Sequence, residues 1–155
     1  MKTHLLTAAL LLAFAATAAP SQSAGLLGDW KTPTGSIVRI EVCDSGICLR
    51  VAKLSPAAPA TTDIHNPDPK LRSRPICGLQ IGHGFSLESP GRASGGTLYD
   101  PKTGKTYRGT LTADGATLHL RGYVGIPLFG ASQDWTRAHE PIATCGGGPN
   151  RPPGP

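Results

Sequence analysis

The chain has 155 residues, 39% of them hydrophobic, 5% aromatic and 16% charged, with a formal charge of +5. That is about one domain's length with enough apolar content for a core, which excludes a wholly disordered chain. The basic residues are scattered rather than gathered into a stripe with interleaved aromatics, so no nucleic-acid partner is expected; modest positive charge instead favours acidic surfaces or anionic ligands.

The first element in chain order reads as an address rather than as structure. Lys2 supplies a positive start, Leu5 to Ala16 is apolar apart from Thr7, and Ala16-Thr17-Ala18 has the small-x-small pattern of a signal-peptidase site. The run falls short of the ~20 apolar residues that a membrane span needs. Residues 1–18 are therefore predicted to be a signal peptide, leaving a mature chain without a transmembrane segment in a bacterial periplasm or outside the cell.

The remainder holds all 20 glycines and 15 prolines, without a period, between short apolar runs. Such spacing describes the turns of an all-β domain, predicted over residues 25–138. Gly28-Asp29-Trp30 opens it, and the Trp either caps the base of a barrel or is an ordinary buried side chain. Arg39 to Ala52 follows as a hairpin. Folded about Ser45-Gly46, it sets Cys43 opposite Cys48, Glu41 opposite Arg50, Val42 opposite Leu49 and Ile40 opposite Val51. A Cys43–Cys48 disulfide fits that pairing and an oxidising compartment, and its short loop limits its contribution to at most about 3 kcal/mol.

Leu54 to Pro75 is the longest connection. Asp68 is placed to N-cap a short helical turn beginning at Pro69, and Pro75 ends it. Loops of this length inside compact domains are usually functional or disordered, and the dense Asn, Asp and Arg content from Asn66 to Arg74 argues for an ordered one.

The C-terminal half reads as a meander. Strands are predicted at Ala93 to Tyr99, Thr106 to Thr112, Thr117 to Val124 and Ser132 to Arg137, with turns at Asp100 to Lys105 and Asp114-Gly115 and a loop at Ile126 to Gly130. Strands near residues 28, 38, 50 and 80 bring the total to about eight. An antiparallel up-and-down series of that size closes into a barrel, which removes its edges. A turn at Asp114-Gly115 makes Arg108 and Arg121 cross-strand neighbours. Their repulsion needs compensation from solvent with Asp100, Asp134 or Glu88, or from a bound anion. Residues 139–155 are predicted to be a Gly/Pro-rich, disordered or loosely docked tail. Cys77 either pairs with Cys145 and pins that tail, or lies buried while Cys145 stays free for an intermolecular bond.

Three ordered blocks carry a resemblance. They are Asn66-Pro67-Asp68-Pro69-x-Leu71-Arg72-x-Arg74-Pro75; Gly95-Gly96-x-Leu98-Tyr99-Asp100-Pro101-x-x-Gly104-Lys105-x-Tyr107; and Leu120-Arg121-Gly122-Tyr123-x-Gly125 followed by Gln133-x-Trp135-x-Arg137. Together they resemble the bacterial exported family known as domain of unknown function 2147, over about Leu26 to Arg137. The paired cysteines of the first hairpin match it too. Where that family often has an Arg between the glycine and the Gln of the last strand, this chain has Gly130-Ala131-Ser132-Gln133. The resemblance implies a small calycin-like barrel, of lipocalin or streptavidin type, in the bacterial envelope, and brings no agreed activity.

No catalytic motif stands out: GxSxG, HExxH, Walker and dinucleotide patterns are all missing from the sequence. Asp63-x-His65 and Asp68 have generic spacing, so a hydrolase is the least supported reading, and no metal or cofactor is expected. The leading expectation is a binding module for a small apolar or anionic envelope ligand. Arg72, Arg74, Arg108 and Arg121 would recognise the anion, Tyr99, Tyr123 and Trp135 would supply apolar contact, and Asn66 and Asp68 would dress the mouth. The alternative is a structural or protein-interaction module of the envelope whose barrel is filled by Val38, Ile40, Leu49, Val51, Leu98, Leu111, Leu118 and Leu120. The discriminating quantity is the volume left inside.

Overall fold

Both predicted hairpins form, each turning one residue away from the expected place. The computed structural model describes residues 25–139 and Cys145; the predicted signal peptide and most of the predicted tail lie outside the described residues. The first hairpin joins β2 (Ile37–Cys43) to β3 (Gly46–Lys53) through Asp44-Ser45, so Cys43 faces Gly46, Glu41 faces Cys48 and Ile40 faces Leu49. Gly46 is not the turn residue. It follows the turn at φ 104°, where a Cβ would run into the Phe85 carbonyl. The second joins β6 (Lys105–Asp114) to β7 (Thr117–Tyr123) through Gly115-Ala116, with Gly115 at φ 56° in the first central position. Leu111 therefore faces Leu120, Thr110 faces Arg121 and Arg108 faces Tyr123. The expected direct Arg108–Arg121 opposition does not arise.

Moving a turn by one residue re-pairs each residue with one two positions along the partner strand. Side chains alternate with period two, so each keeps its face. The Cys43–Cys48 disulfide accordingly forms on a diagonal, with Cα atoms 6.0 Å apart, inside the range a disulfide accepts. The Glu41–Arg50 ion pair is also diagonal, at 3.3 Å.

The remaining strands are β1 (Gly28–Lys31), β4 (Gln80–Ser89), β5 (Arg92–Asp100) and β8 (Gly130–Arg137), and the eight run antiparallel in sequence order around a closed barrel. Closure is made where Trp30 pairs with Arg137 and Lys31 with Thr136. His119 sits opposite Asp134 and meets it at 2.7 Å. A second disulfide joins Cys77 to Cys145, and the Cys145 amide donates to the Ala52 carbonyl at 2.8 Å, docking that point of the tail against β3.

One end of the barrel is solid. Leu26, Trp30, Ile47, Phe85, Leu111 and Leu118 are all buried there or against it. Glycines make the room: a Cβ at Gly96 would overlap the Phe85 ring, and one at Gly109 would strike Leu98 at 2.6 Å. Trp30 Nε1 donates to the Leu26 carbonyl at 2.8 Å, and the Arg137 guanidinium lies 4.0 Å over the Trp30 ring while donating to the Leu27 and Gly25 carbonyls. Burial holds the Arg137 pKa below its ordinary value, and stacking on an aromatic face suits a planar cation. The Gly28-Asp29-Trp30 segment thus belongs to a floor.

Candidate functional site

Four connections gather at the other end: Thr32–Ser36, the long segment from Leu54 to Leu79, the turn after Asp100, and the segment between Tyr123 and Gly130. They surround a cavity of about 670 Å³, a volume typical of small-molecule sites. Its wall is built by inward positions of the strands, among them Val38, Val51, Ile81, Leu98, Leu120 and Trp135. Thr32, Ser36, His65, Asp100 and Lys102 add polar groups at the mouth, and Gln133, which accepts from Trp135 Nε1 at 3.1 Å, adds one from β8. Asp100 is occupied locally, accepting from the Lys102 amide at 3.0 Å and the Thr103 hydroxyl at 2.9 Å. Lys102 adds an exposed cation to that opening.

The long connection owes its shape to a buried carboxylate. Asp63 is fully buried. Its Oδ1 accepts from the Tyr99 hydroxyl at 2.6 Å, and its Oδ2 accepts from Asn66 Nδ2 and from Arg74 Nε, both at 2.8 Å. Burial pushes the Asp63 carboxyl up, but the hydrogen bonds from Tyr99, Asn66 and Arg74, with the Arg74 charge, outweigh it and hold the pKa below its ordinary value. Burial, then the bond to Asp63, raises that of Tyr99. The Asp63 carboxylate is shielded from water yet lies shallow, since its partner Arg74 keeps a third of its side chain exposed.

The same proline-rich motif supplies the rest of the loop. Asn66 Oδ1 accepts from the Asp68 amide at 2.9 Å, Arg72 Nε donates to the Asn66 carbonyl at 2.8 Å, and Asp68 Oδ1 accepts from the Lys70 amide at 3.0 Å. That last bond caps the short 3-10 turn Pro69–Leu71, at the position the sequence indicates. Residues 61 to 63 pair back against 74 to 76, with the Asp63 amide on the Arg74 carbonyl and the Ile76 amide on that of Thr61. This arrangement presents Ile64, His65 and Ile76 to the cavity.

Of the residues expected to bind a ligand, Tyr99, Tyr123 and Trp135 contribute to the lining, and Arg72, Arg74, Arg108, Arg121, Asn66 and Asp68 do not. Arg72, Arg74, Asn66 and Asp68 are engaged within the loop. Arg108 is exposed on the outer face of β6. Arg121 donates to the Pro127 carbonyl at 2.8 Å, to the Leu128 carbonyl at 3.2 Å and to Ser132 Oγ at 3.0 Å, clamping the segment that joins β7 to β8. Sequence reasoning passed over Ile76, Ile81, Tyr107 and Phe129, which also line the space. Tyr107 was accessible to it, since alternation through Gly109 and Leu111 points it inward. Among the described residues no group of His, Cys, Asp and Glu side chains is placed to hold a metal ion, and no helix is long and apolar enough to cross a membrane.

The barrel is similar to that of protein HP1028 from the human pathogen Helicobacter pylori, described as belonging to the lipocalin family. The TM-score is 0.67 and the identity 22%, over 74% of this chain and 84% of that one, a likeness that establishes the fold. No curated protein matches the chain. The family profile described as an uncharacterized protein conserved in bacteria (DUF2147) matches residues 28–137, and the chain belongs to that family.

Proposed function

We propose that this protein is an exported binding module that holds a small, largely apolar ligand in the hollow end of its barrel, with any anionic head left at the mouth beside Lys102. The observation that carries the reading is the cavity itself: about 670 Å³ and lined mainly by apolar side chains. A barrel serving only as a docking body has no need of such a space, since the side chains that fill one end could fill both. Two disulfides and the apolar N-terminal run support a periplasmic or secreted site of action.

A fluorescent fatty acid, supplied as monomer, is the test probe. Gly122 lines the cavity, and a Cβ there would meet Tyr107 at an ordinary 3.6 Å. Gly122→Leu therefore adds bulk to the cavity without backbone strain. Saturable binding to the native chain, weakened about tenfold or more in Gly122→Leu, supports the reading. Native protein that leaves the probe dark, or binds it equally with Gly122→Leu, refutes it.

A further inference from the structure

The segment between β7 and β8 breaks the usual rule for an exposed loop. Val124, Ile126, Leu128 and Phe129 are 69%, 54%, 76% and 74% exposed. Four large apolar side chains in one short connection are unusual, because scattered exposure is ordinary whereas clustering marks a contact surface. The loop is also held in place. Arg121 ties down the Pro127 and Leu128 carbonyls and Ser132, and the segment forms a 3-10 turn at Pro127–Phe129. The apolar tips are kept outward by this clamp, at the rim of the cavity, since Val124 and Phe129 also contribute to its lining.

Charge is distributed along the barrel axis in the sense that completes the picture. The strand ends and turns at the open end carry Lys31, Lys53, Lys102 and Lys105. The acids there are engaged: Asp63 by Arg74, Asp68 and Asp100 by local backbone amides. At the closed end stand Asp44, Glu88 and Asp114, with Arg92 paired to Glu88 at 2.7 Å. An apolar tip on the end of a barrel that carries lysines is the combination that binds an anionic lipid surface: the tip enters the headgroup region and the cations meet the phosphates.

We infer that the β7–β8 connection is a membrane-contact tip that seats the mouth of the cavity on an anionic bilayer. The inference deepens the binding reading above, because it names the surface with which the ligand is exchanged. A single-chain amphiphile would then pass between leaflet and barrel tail first, its head staying near Lys102.

Flotation with vesicles tests it. Purified protein is mixed with phosphatidylcholine vesicles, with or without phosphatidylglycerol as a minor component, and Ile126→Asp/Leu128→Asp is compared with the native chain. Neither residue lines the cavity or belongs to the core, so the variant is expected to fold and to keep its affinity for monomeric fatty-acid probe. The two proteins share every other residue, so a retained leader would contribute equally to both. The expected result is flotation of the native protein with phosphatidylglycerol vesicles, weakened by salt and reduced about tenfold or more in the variant. Native protein that stays at the bottom of the gradient, or a variant that floats as well as the native chain, overturns the inference. The probe arm is read separately: failure of probe binding in both proteins sinks the cavity reading, and flotation alone still decides the tip.

Discussion

Asp63 offers the sharpest test of what holds the open end of the barrel together. Asp63→Ala removes the acceptor for Tyr99, Asn66 and Arg74 at once and leaves their donors facing a small void. Deleting one partner of a buried ion pair costs about 3–5 kcal/mol. Because Arg74 is a third exposed, water can reach it, and the lower end of that range applies. Asp63→Asn should be milder. Its single carbonyl oxygen can still accept from Arg74 and Asn66, and its amide can donate to the Tyr99 oxygen, so what goes is chiefly the charge, worth roughly 1.5–3 kcal/mol. Urea unfolding followed through Trp30 and Trp135 measures both. With a slope of roughly 1.5 kcal/mol/M, a 3 kcal/mol loss lowers the midpoint by about 2 M at unchanged slope. An Asp63→Ala midpoint within about 0.5 M of native would refute the claim that this carboxylate organises the loop. So would Asp63→Asn proving the more damaging of the two.

The same group fixes a pH dependence. A carboxyl held below its ordinary 3.8 contributes stability that is present above the unfolded pKa and lost as pH falls through the folded one. The stability gap between native and Asp63→Asn should therefore narrow below about pH 4 in acid-titrated urea curves, and a gap constant to lower pH would contradict it. At the closed end, Gly96→Ala should destabilise by several kcal/mol, because its Cβ overlaps a Phe85 ring that is itself fully enclosed; a change under about 1 kcal/mol by calorimetry would show that the ring moves freely. The two disulfides should differ. Chain-entropy reasoning gives about 4 kcal/mol for Cys77–Cys145, which spans 68 positions, against about 2 for Cys43–Cys48, which spans 5. Paired Cys→Ser variants compared by thermal unfolding should keep that order.

Much of the fold was readable because strand alternation and turn chemistry are local. Ala93 to Arg137 and the first hairpin carry both, and their strands fall where the pattern puts them. The turn positions were not: Gly115 takes the first central place of its turn where the Asp-Gly pattern puts it second, and Gly46 lies outside its turn altogether. Gly46 is shaped by the approach of Phe85, which is distant in sequence. The floor was hinted at by Trp30, but Arg137, at the far end of the domain, completes it. Site residues were harder still. Arginines suggest anion recognition when read one at a time, yet Arg72, Arg74 and Arg121 each meet a carbonyl or carboxylate of the protein itself. Nothing in the sequence distinguishes a cation with an internal partner from one awaiting a ligand. Asp63 went unremarked as an organiser because its partner Tyr99 lies 36 positions away.

The sealed floor carries a consequence of its own. Trp30 and Arg137 shut the far end, so under the binding reading proposed above a ligand would have to leave along the path by which it arrived. Loading and unloading then cannot be separated by geometry. Direction must come from what stands outside: a membrane richer in the molecule at one stop, or an acceptor that withdraws it at the next.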